Sequence, residues 1–160
     1  MATLLYVNEV VNFAIEREQE SYDLYKELSE KFEKQELKAV FQTLQAEEKQ
    51  HKAFYVSFLS TVGEEQSPGV SEGEEYDAYM RTLIDSRRTV TQPPVDLANI
   101  HVILDFAIAR EKDAVLFYVG LENYVPEEDR PTVKMIMQEE GKHIVKLTEL
   151  KKILGGRRIL

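Results

Sequence analysis

The sequence predicts an all-α protein: an antiparallel four-helix bundle of two duplicated helical hairpins, joined by a crossover that contains a short helix. Three observations predict it. Four long segments place apolar residues at i, i+3, i+4 and i+7, the stripe of an amphipathic helix. The segment Phe13-Ala14-Ile15-Glu16-Arg17-Glu18 returns as Phe106-Ala107-Ile108-Ala109-Arg110-Glu111. The segment Glu48-Lys49-Gln50-His51 returns as Glu140-Gly141-Lys142-His143.

The first helix is expected from Val10 to about Phe32, on the stripe Val11, Ala14, Ile15, Tyr22, Tyr25, Leu28 and Phe32. Glu18 interrupts that stripe where a leucine would be expected. The second runs from about Glu36 to Leu59, with Leu37, Val40, Phe41, Leu44, Tyr55, Phe58 and Leu59 on one side. Glu48 and His51 fill the gap between Leu44 and Tyr55. No Gly or Pro separates the two helices. If Glu18 and Glu48 sit at equal height in an antiparallel hairpin, the turn lies midway, near residue 33.

Val62 to about Gly73 reads as a polar linker, with Gly63, Pro68, Gly69 and Gly73. A short helix follows from roughly Glu74 to Asp85, carrying Tyr76, Tyr79, Met80 and Leu83. Pro93-Pro94 then breaks structure again. The stretch of about 63–95 is too long for a tight turn and reads as a crossover between hairpins at about 8–62 and 96–154.

Asp96 is expected to cap a third helix through about Glu122. Its stripe is Leu97, Ile100, Leu104, Ala107, Ile108, Ala114, Val115, Tyr118 and Leu121, interrupted by Glu111. Asn123 to Arg130 reads as a loop, with Pro126 near the midpoint of Glu111 and Glu140. Pro131 can open the fourth helix. That helix shows Val133, Ile136, Ile144, Leu147, Leu150 and Leu154 around Glu140 and His143, and Gly155-Gly156 is expected to stop it. In both copies a tyrosine, Tyr25 or Tyr118, follows the stripe glutamate by seven residues. The spans Glu18–Glu48 and Glu111–Glu140 are 30 and 29 residues.

Composition narrows the chemistry. At 160 residues the chain is about one domain, expected to span 1–160. It is 43% hydrophobic and 31% charged, the profile of a folded globular protein. A net charge of −9 argues against nucleic acid and anionic membranes as partners. Zero cysteines rules out disulfides, thiolate metal sites and a cysteine nucleophile in this sequence. The first residues carry no basic region or cleavable apolar stretch, and no run of about 18 apolar residues occurs. A cytoplasmic protein is the expectation.

Residues three apart on a helix are neighbours on one face, so each Glu-x-x-His can converge on one point. Glu18, Glu48, His51, Glu111, Glu140 and His143 would all project into the bundle at similar height. Unpartnered carboxylates in an apolar interior cost several kcal/mol each. Two divalent cations would balance four carboxylates if both histidines are neutral. One Glu from each of two helices, plus Glu-x-x-His from each of the other two, is the ligand pattern of di-iron and di-manganese carboxylate bundles. Oxygen-rich ligation with one imidazole per metal suits iron or manganese, with zinc possible. Six ligands for two metals leave positions open, as dioxygen or peroxide chemistry requires. The competing reading makes the Glu–His pairs surface salt bridges, which would require them to leave the stripe around them.

On these residues the chain resembles the ferritin-like superfamily, and within it the rubrerythrin family, over roughly residues 8 to 152. The resemblance implies terminal ligands at Glu18 and Glu111 and bridging ligands at Glu48 and Glu140. It implies that His51 shares a metal with Glu18, and His143 with Glu111. Tyr79-Met80-Arg81-Thr82-Leu83-Ile84-Asp85 resembles the crossover of short rubrerythrin-like proteins. The implied cofactor is a pair of iron ions, and the implied activity is reduction of peroxide or dioxygen by a homodimer. Peroxidase rubrerythrins carry another carboxylate where this chain has Ala114, and a cysteine-rich rubredoxin domain that this sequence lacks. Electrons would then come from a separate, rubredoxin-type protein.

Other polar residues have plainer readings. Tyr25 and Tyr118 could hydrogen-bond to ligand carboxylates, or be core aromatics with satisfied hydroxyls. Tyr22 and Tyr55 read as core. Glu47 and Glu139 point about 100° away from their neighbours Glu48 and Glu140 and read as solvated; so do Glu16 and Glu20. His101 reads as a surface or helix-start histidine. Nothing requires Asp113 to reach a ligand histidine. Three functions stay open: a di-iron oxidoreductase, a metal-binding or iron-handling protein without turnover, and a helical module without metal.

Overall fold

A computed structural model of the chain describes residues 6–62, 74–89 and 98–158. Every regular element among them is helical: α1 (Val7–Lys31), α2 (Gln35–Val62), α3 (Glu74–Thr89), α4 (Ile100–Leu121) and α5 (Arg130–Arg158). Two short 3-10 turns, Glu122–Tyr124 and Glu127–Asp129, connect α4 to α5. The chain forms two compact units, Ala2–Ser71 and Glu72–Leu160, and each holds one of the expected hairpins.

In the first unit α1 and α2 meet through a bend at residues 32–34, where the spacing of Glu18 and Glu48 places it. So short a connection makes the helices antiparallel neighbours. The hairpin buries Val10, Val11, Ala14, Tyr25 and Leu28 of α1 and Phe41, Leu44, Tyr55 and Phe58 of α2. Complete burial of one such side chain contributes about 1.5–3 kcal/mol. Phe41 carries the bend end, with the rings of Tyr25 and Phe32 stacked on it at 6.3 and 5.8 Å. Arg17 and Ser29 are buried as well, beyond what the apolar stripe alone predicts.

In the second unit α4 and α5 pair in the same manner, with Ile103, Leu104, Ala107, Ala114, Tyr118 and Leu121 of α4 and Val133, Ile136, Leu147 and Leu150 of α5 buried. The short helix α3 packs on the end of this hairpin. Met80, fully buried, lies over Gly120, where an added Cβ would run into the methionine sulfur. Glycine at 120 is what lets the two helices approach so closely. Asp77 accepts a hydrogen bond from the Tyr124 hydroxyl at 2.5 Å, and Asn123 Nδ2 donates to the Tyr76 hydroxyl at 2.9 Å.

Several boundaries differ from expectation. Asp96, expected to cap α4, lies outside the described residues, as do the glycines of 63–73 and Pro93-Pro94. The helix begins at Ile100, where the side chain of Asn99 accepts a hydrogen bond from the backbone N–H of His101 and so caps it. The short helix α3 runs to Thr89 rather than Asp85. The last helix continues through Gly155-Gly156 to Arg158 instead of stopping there. Glycine ends a helix when the chain turns into a left-handed conformation; Gly155 keeps a negative-side φ, and its entropic cost alone does not break the helix.

Candidate metal centre

In the first hairpin, α1 supplies Glu18 and α2 supplies Glu48 and His51. Each interrupts an apolar stripe, so the packing that buries the stripe buries these groups with it. The imidazole Nδ1 of His51 lies 3.2 Å from Glu48 Oε2 and 3.6 Å from Glu18 Oε2. The pairing within α2 follows from the i, i+3 spacing. The contact to Glu18 follows from the bend that sets α1 and α2 at equal height. Beside this triad, Lys52 Nζ donates to Gln19 Oε1 at 2.6 Å and ties the two helices at the same level.

The second hairpin repeats the arrangement. Glu111 comes from α4, and Glu140 and His143 from α5. His143 Nδ1 lies 3.0 Å from Glu140 Oε2 and 3.5 Å from Glu111 Oε1. All six residues are at most 2% exposed. The surface salt-bridge reading therefore fails: the Glu–His pairs stay in the stripe. Within each triad every residue offers one ligand atom within 4.8 Å of the others.

The donor set fits a metal. Ligand bonds of about 2.0–2.2 Å put neighbouring donors on one ion roughly 3 Å apart, close to the carboxylate–imidazole separations above. Each triad offers two hard oxygens and one imidazole nitrogen, the mixture that suits iron or manganese and admits zinc. Its carboxylates are out of water, and a divalent ion would offset much of that desolvation cost.

Neighbouring residues sort by burial. Tyr25 and Tyr118 are buried, as is Tyr55, while Tyr22 is half-buried. The Tyr118 ring meets Phe117 edge-on at 5.8 Å, and Tyr55 meets Phe54 edge-on at 5.2 Å. Glu16, Glu20 and Asp113 are exposed, and Glu47 and Glu139 are half-buried; none belongs to the two triads. His101 is the second residue of α4, as a helix-start histidine should be. The sequence reading passed over Arg17, which is buried one residue before Glu18. Its repeat counterpart Arg110 lies 5.9 Å over the Phe106 ring. The repeated Arg-Glu pair was the signal that could have drawn notice to both. No described helix is long and apolar enough to cross a membrane.

Comparison with known proteins places this geometry. A sequence model of the rubrerythrin family, described as rubrerythrin, matches residues 9–151. No curated protein matches significantly by sequence. Among solved structures, a Thermotoga maritima protein described provisionally as ferritin-like diiron-carboxylate is similar over 92% of this chain and 95% of its own. The TM-score is 0.66 and the sequence identity 25%. The helical bundle expected from the sequence is thus a ferritin-like fold. With the match covering nearly the whole chain and the repeated triads lying inside it, this protein belongs to the rubrerythrin family.

Proposed function

We propose that the two triads together hold a pair of iron ions within one ferritin-like domain spanning residues 1–160. The protein then reduces peroxide or dioxygen with electrons from a separate donor protein. The observation that carries this reading is the repeated burial, in each hairpin, of two carboxylates around one imidazole nitrogen. Glu18 and Glu111 would serve as terminal ligands and Glu48 and Glu140 as bridging ones, and His51 and His143 would each give one nitrogen to an ion. When bound, two ferrous ions would supply two electrons, the number that cleaves the O–O bond of a peroxide or takes dioxygen to peroxide.

The chain's own residues do the rest. The four buried carboxylates of Glu18, Glu48, Glu111 and Glu140 would offset the positive charge of bound cations. Both imidazoles must present Nδ1 without its proton, so metal binding releases any proton held there. Buried Tyr25, Tyr55 and Tyr118 are part of the hairpin interiors that carry the triads and limit access of bulk water. The setting proposed is a cytoplasmic homodimer served by a rubredoxin-type donor.

A second reading is an iron-handling or metal-binding protein without turnover, loaded with iron, manganese or zinc. Ala114 favours it: this buried position, three residues after Glu111, provides no further carboxylate. Elemental analysis of protein from iron-replete cells, followed by reduction and addition of peroxide, separates the two. Two iron ions per chain and a chromophore that bleaches on reduction and returns with peroxide are expected. Fully loaded protein that shows no such cycle leaves the second reading. Protein that takes up no metal removes both.

A further inference from the structure

The two triads have the same ligands but not the same backbone. Lys49 follows Glu48 in α2, whereas Gly141 follows Glu140 at the equivalent place in α5. Glycine in a helix interior ordinarily has one of two structural reasons, a left-handed φ or a close approach by another group. Gly141 has neither. Its φ is not in the left-handed region, and a Cβ built there would meet nothing within 4 Å among the described residues. Gly120 of the same unit shows the contrast, since a Cβ there would run into Met80. A lysine, as in α2, or an alanine would fit at 141 and hold the helix better. What glycine does change is the ease with which the turn between Glu140 and His143 distorts.

We infer that Gly141 is a positioning residue: it makes the Glu140–His143 turn compliant, so the second triad is the softer half of the centre. The first triad sits on a stiffer helix, which Lys52 and Gln19 clamp to its neighbour at the level of the ligands. The softer triad adapts to ions of different size or charge by moving its α5 ligands, at the cost of weaker binding. The centre is therefore unequal: the ion at Glu18 and His51 is held firmly, and the ion at Glu111 and His143, whose histidine closes the soft turn, is more readily exchanged. This inference rests on the two-metal reading above.

Full-length protein carrying Gly141→Ala, and a second variant with the mirror change Lys49→Gly, test it by two measurements. Amide hydrogen exchange, corrected for intrinsic rates, should show residues 141–145 about five-fold less protected than 49–53, the size of the helical glycine penalty. Gly141→Ala should remove that difference, and Lys49→Gly should lower protection at 49–53 by a similar factor. Zinc titration should show two affinities in the natural protein. Gly141→Ala should raise the weaker one about five-fold, while Lys49→Gly lowers the stronger. Two bound zinc ions whose affinities ignore both substitutions would overturn the inference and leave the two-metal reading intact. Equal protection of the two turns would overturn it as well. Protein that binds no zinc removes the two-metal reading and this inference together.

Discussion

The hydroxyl of Tyr124 donates to the buried carboxylate of Asp77 at 2.5 Å, and this bond fastens α3 to the α4–α5 connection. The residues just before each, Tyr76 and Asn123, form a second hydrogen bond, and the rings of Tyr76 and Tyr124 stack at 6.2 Å. Tyr124→Phe keeps the ring and takes the donor from a buried acceptor. The expected loss is about 1–3 kcal/mol in urea denaturation. Asn123→Ala, at a half-buried site, should cost less. Equal losses would mean that the Asp77 bond carries no special weight.

Removal of single ligands should distinguish bridging from terminal roles. His51→Ala and His143→Ala each take one nitrogen from one triad, so each should lower tightly bound iron from two ions per chain towards one. Glu48→Ala should weaken both ions, because its carboxylate is proposed to bridge them. Metal content after gel filtration reads the difference. If Glu48→Ala keeps one ion at full occupancy, Glu48 belongs to a single metal.

Met80 and Gly120 should behave as a coupled pair. Met80→Ala empties a fully buried site and should cost about 2–5 kcal/mol. Gly120→Ala forces the tip of Met80 aside and should also destabilise, by less, because the thioether end is flexible. In the double variant the new methyl group enters the space that Met80 leaves. Thermal or urea unfolding should then show a loss smaller than the sum of the two. Strict additivity would place the two residues out of contact.

Chelation should lower thermal stability. A ligand that binds only the folded chain stabilises it by about 2.7 kcal/mol per site at a hundredfold excess over its dissociation constant. For two sites in a chain of this size, that is roughly 10 °C or more in melting temperature. Calorimetry before and after chelator treatment measures the shift. A melting temperature that does not respond would mean that the buried carboxylates need no cation.

Most of the hairpin architecture was legible in the sequence, because helical spacing repeats over twenty residues or more and leaves little freedom in choosing the buried face. Glu18, Glu48, His51, Glu111, Glu140 and His143 were visible as interruptions of those stripes, and each lies buried in its hairpin. Helix ends were harder to read. Asn99 and Asp96 are both acceptable caps, and only the folded chain decides where α4 starts. Gly155 looked like a stop signal, yet a glycine stops a helix only if the backbone reverses there. The attachment of α3 was hidden for another reason. Asp77–Tyr124 and Met80–Gly120 join residues 40 or more positions apart, and local periodicity holds no record of such partners.

The bend at residues 32–34 makes α1 and α2 act as two arms of a gauge. Each arm advances 1.5 Å and rotates 100° per residue, so a single insertion between Glu18 and the bend would swing that carboxylate away from His51. The same insertion placed within the bend could be taken up by slack in the loop. Length tolerance in this hairpin is therefore confined to its tip, and a tally of viable insertions along residues 18–51 would trace the calibration directly.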